Sequence, residues 1–145
     1  MIGLLQRVTR AAVEIEGKTI ARIDRGLLVL VGVEKEDTRA EADRLLERLL
    51  GYRVFPDQDG KMNLSLKDIG GGLLLVPQFT LPADTKKGMR PSFSAAAPPE
   101  QSREMFAYLL QEAQAAHRTV AAGIFGANMQ VILTNDGPVT FWLQT

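Results

Sequence analysis

Gly70-Gly71-Gly72-Leu73-Leu74-Leu75-Val76-Pro77-Gln78-Phe79-Thr80-Leu81 joins a turn, an apolar run and a polar exit. The glycines match neither phosphate-binding glycine pattern and read as a turn or bulge. Leu73 to Val76 has no polar alternation, so it reads as a buried strand. A twin lies upstream, where Gly26 precedes Leu27-Leu28-Val29-Leu30-Val31, a strand covered on both faces. Two such strands require layers on either side of a sheet.

The flanking segments supply those layers. Val13 and Ile15 alternate with Glu14 and Glu16 before Gly17, a half-buried strand entering a turn. Thr38 followed by Glu41 is a capping-box pattern. Ala42, Leu45, Leu46, Leu49 and Leu50 then recur at helical spacing until Gly51. Pro98-Pro99 opens a second helix, whose stripe of Met105, Phe106, Leu109, Leu110 and Ala113 reads as core. Met129, Val131 and Leu133 alternate into Asn135-Asp136-Gly137-Pro138, and Val139 to Leu143 follows, which predicts two strands around a proline turn. No repeat or linker interrupts the chain. The expectation is a mixed α/β fold in a single domain, residues 1–145, with layered, barrel-like β-sheets and two main helices covering one side.

Composition removes several chemistries. The 145 residues carry 17 Lys plus Arg against 17 Asp plus Glu, for a net charge of zero. A nucleic-acid partner must therefore be held by a local patch. There is no cysteine, which excludes a disulfide scaffold, a thiolate nucleophile and Cys-ligated zinc. The single histidine, His117, falls at the end of the second helix, where a capping role suits it. A Ser-His-Asp site therefore has no evident base. Asp57, Asp59 and Gly60 lack the further ligands of a calcium loop, and no metal site or cofactor is expected. No apolar run approaches the roughly 20 residues of a membrane span. Arg7 comes too early for a signal-peptide core, so a cytoplasmic protein is expected.

Two places offer chemistry. Gln78 and Thr80 stand where a buried strand runs out and backbone amides become free for a ligand, although they could instead bond a neighbouring loop. Gly137-Pro138 could be cis and present two carbonyl oxygens in one direction, an acceptor pair for an ammonium group, or it could be an ordinary loop proline. Between them, Lys86, Lys87 and Arg90 lie close together in the loop from Leu81 to Pro98; they are candidate phosphate contacts or a solvated loop.

Together, Gln78-Phe79-Thr80-Leu81 and Asn135-Asp136-Gly137-Pro138-Val139-Thr140 resemble the paired signature of bacterial D-aminoacyl-tRNA deacylases. Gln6-Arg7-Val8, Gly88-Met89-Arg90-Pro91-Ser92-Phe93, Gly126-Ala127-Asn128-Met129 and Phe141-Trp142-Leu143 extend the likeness along the whole chain. The resemblance implies a deacylase-like fold and hydrolysis of the ester between a D-amino acid and the terminal adenosine of tRNA. Neither metal nor nucleophilic histidine is implied. It places Gln78, Phe79 and Thr80 at the catalytic centre, with backbone amides around Phe79 and Thr80 holding the substrate. It implies a homodimer in which cis Gly137-Pro138 enters the opposite subunit's pocket, meets the α-amino group and rejects L-amino acids, with Arg7 bracing the turn. Phe125 and Met129 resemble positions that pack on the adenine. Glycyl-tRNA(Ala) is an expected secondary substrate, because glycine has no side chain to exclude. The alternatives are a non-catalytic module that holds a tRNA 3′ end and a Thr80-dependent amidase or peptidase. One departure stands out: the family usually has serine where this chain has Pro77, so a mechanism needing that hydroxyl as nucleophile is unsafe here.

Overall fold

The computed structural model describes all residues from Met1 to Thr145. Eleven elements follow one another: strands β1 (Ile2–Ile15), β2 (Lys18–Ile23) and β3 (Gly26–Gly32), helix α1 (Arg39–Gly51), strands β4 (Phe55–Pro56) and β5 (Met62–Leu64), helix α2 (Leu66–Ile69), strand β6 (Gly72–Pro77), helix α3 (Pro99–Ala116), and strands β7 (Val120–Ala122) and β8 (Gln130–Gln144). The main sheet runs β2-β1-β3-β6-β7, and β8 joins it by pairing with β1. β3, β6 and β7 are parallel neighbours, whereas β1 is antiparallel to β2, β3 and β8. β2 also comes close to β6 and β7, so the sheet curls into a nearly closed barrel.

That curl explains the continuous apolar runs. Leu27, Val29, Leu73 and Leu75 face a large core shared with Leu45, Leu49, Phe106 and Leu109 of the helices. The alternate residues Leu28, Leu74 and Val76 face a smaller core inside the barrel, with Val8, Val13 and Ile23. A strand between two dry layers has no polar face, so period-two alternation disappears. The two long helices lie together: Tyr108 Oη of α3 donates to Asp43 Oδ1 of α1 at 2.8 Å, which pushes the tyrosine hydroxyl above its ordinary pKa.

α1 starts where the capping box predicts. Ala40 N–H donates to Thr38 Oγ1 at 3.2 Å, and Thr38 N–H donates to Glu41 Oε2 at 2.7 Å. The short α2 repeats the device with Ser65 and Asp68, whose carboxylate accepts from the Ser65 N–H at 2.7 Å. Hydrogen bonds from Thr38 hold Glu41 below its usual 4.5, and those from Ser65 hold Asp68 below its usual 3.8. Depressed folded values mean that the unfolded chain binds more protons in this range. The two boxes thus stabilise the fold above the usual values, and that stabilisation is lost as pH falls through the lower folded values. Thr38→Ala is expected to lower the melting temperature near neutral pH by about 4 °C. Its melting temperature should also fall less steeply than the parent's on acidification. An unchanged acid slope in paired melting curves would count against the cap.

The proline turn differs from the sequence expectation. β8 is one ladder from Gln130 to Gln144, not two strands separated by a loop. Its register on β1 shifts twice in the middle, slightly between Val8 and Arg10 and more widely beyond Val8: Val8 faces Asn135, yet Gln6 faces Thr140. Arg7 alone therefore stands opposite Asp136-Gly137-Pro138-Val139, and β8 bulges outward around it. His117 caps α3 as expected, and its Nε2 lies 2.6 Å from the Gly71 carbonyl oxygen, tying the helix end to the start of β6.

Candidate active site

β6 delivers the first part of the site. Its last residue, Pro77, stands opposite Val31, and the Gln78 N–H donates to the Val31 carbonyl at 2.7 Å. The chain then turns, with the Leu81 N–H on the Gln78 carbonyl at 3.2 Å and the Ala83 N–H on the Thr80 carbonyl at 3.1 Å. The N–H groups of Phe79 and Thr80, between these anchors, make no backbone hydrogen bond. The Gln78 side-chain amide donates to Thr80 Oγ1, so these two polar side chains engage each other rather than another loop.

Beside this turn lies a cleft of about 800 Å³. Pro77, Gln78 and Phe79 form one wall, Phe93 and Ala96–Pro99 another, and Phe125–Met129 a third. Phe79 and Phe93 meet with ring centroids 5.6 Å apart, and Phe79 remains 63% exposed. Opposite them, Met129 Sδ accepts the Ile124 N–H at 3.4 Å, which fixes the loop that carries Phe125. An aromatic, largely apolar cleft with unpaired backbone donors at its edge suits a flat organic group joined to an acyl group. Thr80 is adjacent in the chain but does not line the cleft.

Arg7, Gly137 and Pro138 gather elsewhere, at the bulge in β8. Arg7 is 9% exposed, and its Nη1 donates to the Val54 carbonyl at 2.7 Å. Its Nε lies 3.2 Å from the Asp136 carbonyl and 3.1 Å from Asp136 Oδ2. Asn135 closes the bulge from inside, its amide donating to the carbonyls of Arg7 and Val139, each at 3.0 Å. Gly137 has φ +121°, a conformation that L side chains rarely adopt, and the Gly137-Pro138 bond is cis. Gly137 and Pro138 are exposed and do not line the cleft of their own chain. Lys86, Lys87 and Arg90 are exposed on the long loop and do not line it either.

The sequence profile of D-Tyr-tRNA(Tyr) deacylases matches residues 4–144. The chain belongs to this family. It is 68% identical over 144 residues to the D-aminoacyl-tRNA deacylase of Pseudomonas putida (strain W619), covering 99% of each chain. It is 65% identical over 145 residues to that of Pseudomonas fluorescens (strain Pf0-1), covering 100% of both. Among solved structures it superposes on a c-Myc DNA unwinding element binding protein with a TM-score of 0.96 at 40% identity, covering 100% of this chain and 99% of that one. A probable eukaryotic D-amino acid tRNA deacylase, 17% identical, shares the fold with a TM-score of 0.85 over 99% of this chain and 98% of its own.

Family membership leaves some of the cleft unaccounted for. Lys35, Phe93, Ser102 and Asn128 line it, and none was singled out for the site from the sequence. Phe93 carried one signal, its place in the Gly88–Phe93 stretch that resembles the family. Lys35 carried none, since one lysine among Glu34, Glu36 and Asp37 reads as an ordinary solvated face.

Proposed function

We propose that the protein hydrolyses the ester joining a D-amino acid to the terminal adenosine of tRNA, releasing the amino acid and free tRNA. The observation that carries this reading is the family match from residue 4 to residue 144, with 68% identity to a D-aminoacyl-tRNA deacylase. The chemistry of the cleft supports it. Water adds to the ester carbonyl, the bond to the ribose oxygen breaks, and that oxygen leaves with a proton. Phe79 and Thr80 have free N–H groups at the cleft edge, suited to a developing oxyanion; such donors contribute about 3 kcal/mol each. Phe125 and Met129 stack on the adenine. Pro77, which has neither hydroxyl nor N–H, leaves catalysis to these backbone donors and to substrate groups such as the ribose 2′-hydroxyl.

The selectivity element comes from a second copy of the chain. Gly137-Pro138 lies outside its own cleft, so it completes a neighbour's cleft in a C2 dimer with two equivalent sites. β8 supports such an interface, because it pairs with β1 alone and exposes Ile132 and Trp142. The turn accepts the substrate ammonium and blocks an L side chain, while glycine passes, so glycyl-tRNA(Ala) is a secondary substrate. The protein works in the cytoplasm, where tRNA is charged.

Matched D- and L-tyrosyl-tRNA decide the question. Release of D-tyrosine with L-tyrosyl-tRNA left intact is expected. Equal release from both would overturn the selectivity. Tight binding of D-tyrosyl-tRNA without release would make the protein a holder of RNA ends, and cleavage of an uncharged D-peptide instead would make it an amidase.

A further inference from the structure

Resting on the reading above, we propose that Lys35 and Arg103 bind the phosphodiester backbone of the RNA 3′ end at the α3 side of the cleft. The Arg103 guanidinium lies over the Phe125 ring, 5.0 Å from its centroid, and Phe125 lines the cleft. Its Nη2 is also the atom nearest to where a side chain on Gly126 would begin, at 4.0 Å. Lys35 lines the same cleft and is tied to the start of α3, because Gln101 Nε2 donates to the Lys35 carbonyl at 3.0 Å. The start of α3 thus joins two residues of the cleft lining, Lys35 through Gln101 and Phe125 through Arg103, and Ser102, between Gln101 and Arg103 in the chain, also faces the cleft.

Neither cation takes part in an ion pair. For Arg103 this is informative. Glu100 stands three residues earlier on the same helix, a spacing at which Arg44 and Glu47 of α1 do pair. In α3 the guanidinium lies on Phe125 instead, which leaves its in-plane N–H donors free for an anion. The chain has no net charge, so phosphates must be met by cations placed one by one. The phosphate nearest the scissile ester is the one on the 5′ oxygen of the terminal nucleoside, so its contact belongs at the cleft itself. Lys35 lines the cleft and Arg103 lies on the Phe125 ring that lines it, whereas Lys86, Lys87 and Arg90 are on the outer loop.

The test compares two substrates of the intact protein, D-tyrosyl-tRNA and D-tyrosyl-adenosine, which has the same ester but no phosphate. Lys35→Gln and Arg103→Gln are each expected to lower the ratio of kcat/KM for the tRNA to that for the nucleoside about tenfold. Each should also flatten the slope of log kcat/KM against log salt by about 0.7 on tRNA. Arg103→Lys, which keeps the charge, should restore most of the slope. Equal losses on both substrates would overturn the proposal and leave Arg103 as a brace for Phe125. An unchanged ratio, or a fall only in a Lys86→Gln/Lys87→Gln double variant, would overturn it as well. Should the parent act on neither ester, the proposed function fails separately. The salt slope of uncharged-tRNA binding then tests the contact, and an unchanged slope in both variants sinks it.

Discussion

Gly26→Ala is expected to leave no stably folded protein. A Cβ at this position would lie 1.9 Å from the Gly72 carbonyl oxygen and 2.7 Å from the Gly72 carbonyl carbon and nitrogen. These are backbone atoms of the facing strand, so no rotamer change relieves the contact. The remaining response is to separate β3 from β6 where Gly26 stands opposite Gly72, next to the fully buried pair Leu27 and Leu73. Overpacking that a core can absorb costs about 1–3 kcal/mol. A clash with rigid backbone in the middle of the sheet should exceed 4 kcal/mol, a large part of the roughly 5–15 kcal/mol that holds a domain together. Urea titration followed by circular dichroism reads the effect directly. A variant melting within about 5 °C of the parent would show that the strands part at little cost.

Gly137→Ala should fail differently, losing activity while keeping the fold. At φ +121° an alanine is strained, and its Cβ would meet Val139 Cγ2 at 2.8 Å and Arg7 Nη2 at 3.0 Å. The strain costs about 1–3 kcal/mol, which an exposed bulge relieves by shifting. The shift displaces the turn that the proposed mechanism sets against the substrate ammonium. A displacement near 1 Å in a positioning group can cost about a hundredfold in rate. Release of D-tyrosine is therefore expected to fall at least about a hundredfold, with the melting temperature lowered by no more than about 10 °C. Full activity in a folded Gly137→Ala variant would remove the turn from the mechanism.

The parts of the fold readable in the sequence are those whose cause is local. Two uninterrupted apolar runs marked β3 and β6 because each lies between two dry layers. Thr38 with Glu41 marked the start of α1, and Pro98-Pro99 marked that of α3. β1 was readable only near Val13 and Ile15, although it runs from Ile2 to Ile15. Its partners change along its length, from β3 to β2 on one side with β8 on the other, so no single periodicity describes it. α2 was missed although Ser65 and Asp68 form a capping box, because Asp there is not the usual Glu or Gln. The candidate site was half legible. Gln78 and Thr80 stood out as polar residues at a strand end, whereas Arg7 was found through the resemblance. Nothing local indicates that Arg7 will face a bulge formed some 130 residues later; that follows from the register of β8 on β1. The packing of α3 ties Lys35 to Gln101 and sets Arg103 on Phe125, two contacts that no motif encodes.

The bulge in β8 sets how this protein breaks. Arg7 is a residue of β1, the strand with the most neighbours in the sheet, and through Val54 it also reaches the chain just after α1. The turn at Gly137 can therefore shift a little, as an alanine would make it do, but it cannot come away while Arg7 holds Asp136: releasing it altogether means undoing β1, and with β1 the barrel. A proofreading enzyme whose filter relaxed before its catalyst would attack correctly charged tRNA and drain the supply that translation depends on. In the proposed mechanism the Gly137 turn is the filter, so filter and scaffold share one arginine. On that mechanism, heat, ageing or a damaging mutation silences the enzyme before making it indiscriminate, and its failures spare correctly charged tRNA.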